Sequence, residues 1–137
     1  QEKIKFHPTA RRYEPGVLNA SGIVGLRAVL ELIEEFGIDN ISSQLLKLKS
    51  HLINNLESLG FFINGPRSGH NASAITTFKP SSGNASVIFD KLNKAGIICS
   101  CRKDRSGEQF LRFSPHFYNT ETEIDRTIEI LALSTNS

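Results

Sequence analysis

Arg112, in the stretch FLRFSPHFYNTETEID that runs over residues 110–125, is the side chain whose setting best suits chemistry. An arginine fixed on a strand is a rigid fork with five donors, able to grip a carboxylate at two points. Arg102 offers a second guanidinium close by in the sequence. The competing role for Arg112 is an ion pair with an acidic neighbour, Glu108 or Glu123. His116 is the only histidine in this stretch, but no nearby residue supplies it with the orienting partner that a general base needs. Cys99 and Cys101 stand two apart in a predicted strand and so share one face. Their Cα atoms would be roughly 6.6 Å apart, near the limit for a disulfide, so reduced thiols are expected. Arg102 beside Cys101 favours a thiolate, yet placement in a strand points to a small packing residue. Lys47, Lys79 and Lys91 each fall on a helix face or strand end that reads as solvated.

The elements around Arg112 follow from pattern. Leu111 and Phe113 alternate with Arg112 and Ser114, the period of a strand with one apolar face. That alternation turns Arg112 away from the core. Pro115 has no N–H to donate and stops the ladder. Residues 116–119 make a turn in which Tyr118 packs and Asn119 forms an Asx-type bond. Thr120 with Glu123 three residues later is a capping box, so a helix starts at Glu121.

The remaining elements flank this unit. Residues 1–18 read as an irregular entry, limited by Pro8 and Pro15. Asn19 or Ser21 caps a helix over 20–36 with an apolar stripe of Ile23, Leu26, Leu30 and Ile33. Gly37 ends it. A longer helix over 40–59 carries Ile41, Leu45, Leu48, Leu52, Leu56 and Leu59, and Gly60 closes it. Strands are predicted at 61–64, 73–78, 97–102 and 110–114, the last two joined by a hairpin over 103–107. A helix over 84–95, capped by Ser82 or Asn84, lies between them. A final helix covers 121–133, with a frayed tail from Ser134. The predicted fold is α+β: a small, mostly antiparallel sheet of about four strands with helices packed on one face.

Composition sets outer limits. The 137 residues suit one domain with its own core. A net charge of +2 with scattered basic residues is too small to imply a nucleic-acid or membrane-surface role, and neither partner is expected. The chain has no methionine, so Gln1 is not an initiator, and a piece of a longer cytoplasmic protein is expected.

Three motifs carry a family resemblance: RRYEPGVLN over residues 11–19, the GI-x-x-S-x-R string over 96–102, and LRFSPHFYNTETEID over 111–125. Together they resemble the C-terminal part of class V aminotransferases, fold-type I enzymes dependent on pyridoxal phosphate that include cysteine desulfurases and isopenicillin N epimerase-like proteins. The likeness covers about residues 10–133. It implies that residues 1–18 are an entry segment from a large cofactor-binding domain and that 19–134 form the small domain. It further implies a homodimer acting on a small amino acid, with the Schiff-base lysine outside this chain and the chain alone inactive. Arg112 matches the family arginine that binds the substrate carboxylate, and Arg102 accompanies it. Gly16 and Val17 match the loop that approaches the cofactor phosphate of the partner subunit.

Two positions depart from the family pattern. Val17 stands where related enzymes carry a threonine, so a side-chain contact to phosphate is lost while backbone N–H groups remain. The loop over 103–107, KDRSG, has no cysteine where a desulfurase needs its nucleophile. Transamination, elimination and epimerisation stay open. The alternative to an enzyme part is a free-standing α+β module that holds a small carboxylate through Arg112 and Arg102.

Overall fold

The strand that carries Arg112 lies in the interior of a four-stranded sheet. Residues 3–14 and 16–135 are described by a computed structural model. The predicted break at Pro15 and the last two residues of the predicted tail lie outside that range. The chain divides into two compact units, Gln1–Ile38 and Asp39–Ser137.

The first unit holds a 3-10 turn, Ala10–Tyr13, and helix α1, Ala20–Phe36. Of the two predicted caps, Asn19 serves: its side chain accepts from the Gly22 N–H at 3.0 Å. Gly37 closes the helix at φ 78°, a conformation open to glycine, and donates to the Ile33 carbonyl. No residue of α1 is buried.

In the second unit, α2 (Ile38–Ser58), α3 (Ala85–Lys94) and α4 (Glu121–Thr135) supply the helical side of the core. Leu48, Leu52 and Leu56 from α2, Ile88 and Leu92 from α3, and Ile124 and Leu131 from α4 form one cluster. The sheet adds Phe61, Ile63, Phe78, Leu111 and Phe113 to it. The strands are β1 (Phe61–Asn64), β2 (Thr76–Pro80), β3 (Ser100–Lys103) and β4 (Gln109–Phe113). Their order is β1-β2-β4-β3 and every neighbouring pair is antiparallel. The predicted α+β fold and the β3–β4 hairpin are therefore present.

Four predicted boundaries are corrected. β2 starts at Thr76 rather than at 73, because the carbonyls of Ser73 and Ile75 are taken by Lys49 Nζ, each at 2.9 Å. It also runs past the predicted end at 78 to Pro80, which pairs with Phe61 at the strand's end. β3 starts at Ser100 rather than at 97, because the Ile97 N–H turns back to the Leu92 carbonyl to close α3. α4 reaches Thr135, so Ser134 lies within the helix.

The turn that joins β3 to β4 is locked locally. Asp104 Oδ1 accepts from the Ser106 hydroxyl, the Ser106 N–H and the Glu108 N–H at 2.7–2.9 Å. These bonds, the Ser106 hydroxyl first, hold the Asp104 carboxyl below its usual range. The capping box at α4 forms as predicted. Glu123 Oε2 accepts from the Thr120 N–H at 2.8 Å while the Glu123 N–H reaches Thr120 Oγ1 at 3.3 Å. The Thr120 N–H, then the Asn119 side chain, likewise holds the Glu123 carboxyl low. Thr120→Ala removes one half of the box and should lower stability by about 1 kcal/mol. A paired urea titration of the two proteins checks it, and an unchanged midpoint would count against the cap.

Candidate functional site

The face of the sheet away from the core is laid out in two rows across the strands. Register places Phe62 beside Lys79 and Arg102 beside Phe110, and Lys79 Nζ lies 5.6 Å from the Phe110 ring centre. The next row sets Asn64 beside Thr77, Thr77 beside Arg112, and Arg112 beside Ser100. Arg112 is thus flanked by two hydroxyl residues on neighbouring strands. Leu111, its neighbour in sequence, is fully buried on the core side. The alternation read from the sequence holds here.

Arg112 is half-buried, and its Nε is enclosed without a hydrogen-bond partner among the described residues. Both acidic residues that could have paired with it are engaged elsewhere. Glu108 pairs with Lys79, whose ammonium also sits over the Phe62 ring at 5.4 Å. Glu123 is held by the capping box. An enclosed guanidinium N–H with no acceptor is costly, and a carboxylate supplied from outside would relieve that cost. Arg102 lies on the same face, exposed on the edge strand, with no ion pair among the described residues.

The other residues singled out from the sequence fall into structural roles. His116 stacks on Tyr118 at 4.6 Å, and among the described residues its ring makes no hydrogen bond. Asn119 accepts from the His116 N–H at 2.8 Å and donates to Glu123, the predicted Asx-type turn. Cys99 and Cys101 are free thiols, partly buried against the core cluster. Burial, then the neighbouring Cys101, pushes the Cys99 thiol up to about 11. Arg12 braces the entry loop by donating to the carbonyls of Thr9 and Pro8 at 3.2 and 3.1 Å. Val17 is fully exposed. A Cβ at Gly16 would meet nothing within 4 Å.

Sequence reasoning missed Lys49. It is 3% exposed on α2, and burial lowers its pKa. A lysine between Leu48 and Ser50 reads as a solvated position, and only the fold reveals the two carbonyls it serves.

Two cavities, of about 730 and 530 Å³, lie away from Arg112. The first sits between the start of α3 and the β3–β4 turn. The second lies beside Pro115 and Tyr118. Neither is lined by Arg112 or Arg102.

Residues 1–127 match the family model for aminotransferase class V. The chain belongs to that family. It is 27% identical over 139 residues to a probable cysteine desulfurase from Borreliella burgdorferi, covering 93% of this chain and 33% of that protein. It is 28% identical over 131 residues to a cysteine desulfurase from Escherichia coli, covering 85% and 30%. Among solved structures, an apo cysteine desulfurase from Thermococcus onnurineus superposes with a TM-score of 0.85 at 21% identity, over 96% of this chain and 35% of that one. The chain spans about one third of the length of the curated relatives it matches.

Class V aminotransferases depend on pyridoxal phosphate. Such a site needs a lysine, an acid for the ring nitrogen and a phosphate cup. Three lysines of this chain are engaged within it. Lys47 pairs with Glu121 at 3.0 Å, Lys79 with Glu108, and Lys49 serves backbone carbonyls. No helix among the described residues is long and apolar enough to cross a membrane, and no group of three or more potential metal ligands occurs among them.

Proposed function

We propose that this chain is the C-terminal substrate-binding domain of a pyridoxal phosphate-dependent, class V aminotransferase-like enzyme acting on an amino acid, with Arg112 gripping the substrate α-carboxylate. The observation that carries the proposal is the enclosed, partnerless Nε of Arg112 on the face of the sheet opposite the core. In this reading residues 19–134 are the small domain and 1–18 the entry from a large domain that holds the cofactor and its lysine. The enzyme is a cytoplasmic homodimer, and the backbone at Gly16 and Val17 faces the cofactor phosphate of the partner subunit.

The reading departs from persulfide chemistry. A desulfurase needs a thiol on a mobile loop, whereas the loop after β3 is tied down by Asp104 and has no cysteine. The two thiols nearest to it pack against the core instead. Transamination, elimination and epimerisation of an amino acid all remain compatible with a carboxylate grip at Arg112.

The proposal is tested by cofactor retention. The full-length protein should keep stoichiometric pyridoxal phosphate through gel filtration, with its visible absorbance. Residues 1–137 alone should keep none and turn over no amino acid. Stable stoichiometric cofactor on residues 1–137, or none on the full-length protein, would overturn the reading.

A further inference from the structure

We infer that the amino acid bound at this site has an acidic side chain, with Arg102 receiving the side-chain acid while Arg112 holds the α-carboxylate. The inference rests on the carboxylate grip proposed above and adds the class of substrate.

Register puts the two guanidiniums on one face. Arg112 pairs with Ser100, and Arg102, two residues further along β3, pairs with Phe110. Arg102 and Arg112 are therefore diagonal neighbours on adjacent antiparallel strands, with Cα atoms about 7–8 Å apart. Two long side chains at that spacing can converge on the two ends of a short dicarboxylic amino acid.

Charge on this face also favours a dianionic partner. The face carries Lys79, Arg102 and Arg112 as cations, and the acid paired there, Glu108, is engaged with Lys79. Two guanidiniums are left without an ion pair among the described residues. One α-carboxylate would neutralise one of them, and a site closed to water would leave the other uncompensated. A second acid group matches the remaining charge. Phe110 stands beside Arg102 in the same row and is buried. Arg102 is exposed on an edge strand, so its side chain is free to follow a longer or shorter acid without disturbing the core.

The test measures binding by calorimetry on the full-length, cofactor-loaded protein. The probes are L-aspartate and L-glutamate, their amides L-asparagine and L-glutamine, and L-alanine. The wild type should bind at least one acid about ten- to a hundredfold more tightly than its amide. Arg102→Ala should erase that preference, weakening the acids far more than the amides and alanine, and Arg102→Lys should keep part of it. Arg112→Ala should weaken all five ligands. A wild type with no preference for acid over amide overturns the inference, as does an Arg102→Ala protein that loses acids and amides equally. If Arg112→Ala leaves every affinity unchanged, or the wild type binds none of the probes, the carboxylate grip itself fails.

Discussion

If Arg112 grips the substrate as proposed, Arg112→Ala in the full-length protein should lower kcat/KM by about two to three orders of magnitude while the melting temperature stays close to wild type. The size follows from removing a bidentate, charge-assisted pair in a partly desolvated cleft, where truncation costs roughly 2–5 kcal/mol. The unchanged stability follows from where Arg112 stands. Among the described residues its side chain makes no ion pair that folding would lose, and its burial falls short of the core residues on either side. Arg112→Lys should recover only part of the activity, because an ammonium cannot reproduce a planar fork. Steady-state kinetics and thermal melts on the three proteins decide the matter. A fully active Arg112→Lys, or an Arg112→Ala that unfolds, would make the residue structural and remove the proposed grip.

Phe78→Ala gives the opposite signature, with stability lost before any effect on binding can be read. Phe78 is fully buried at the centre of β2. Its ring meets Phe61 edge-on at 5.4 Å and stacks with Phe113 at 5.1 Å. Its strand partners on the two sides are Ile63 and Leu111. Truncation should therefore cost about 3–5 kcal/mol through lost burial and the cavity left behind. That is a large part of the roughly 5–15 kcal/mol typical of a folded domain. Phe78→Leu should cost distinctly less. Urea unfolding of the wild type and both variants provides the measurement. A loss below about 1 kcal/mol for Phe78→Ala would mean that the three rings do not form the tight stack described.

Features set by local chemistry could be read from the sequence. Helix starts at Asn19 and Thr120 and the stop at Gly37 depend on residues within one turn, and all three stand where the sequence put them. The outward setting of Arg112 was legible for the same reason, since alternation along one strand needs only that strand. What escaped depended on residues distant in the chain. The true start of β2 is fixed by Lys49, 24 residues before Ser73, and no local pattern announces that contact. The hydroxyls flanking Arg112 come from β2 and β3, and pairing of β2 with β4 is made across α3. Sequence reasoning could name the arginine, but the company it keeps became visible only once the strands were ordered.

The strand order has a further consequence for the life of this chain in a crowded solution. β1 and β3 end the sheet, and each is only four residues long. Any sheet edge can recruit the backbone of another molecule and so begin aggregation. At β3 the edge carries Arg102 and Lys103 and runs directly into Asp104 and Arg105, four charged residues in succession. A second copy docking antiparallel along that edge would bring cations against cations and would have to strip water from them. The same arginine proposed to select an acidic ligand thus also discourages fibre-like stacking at this edge.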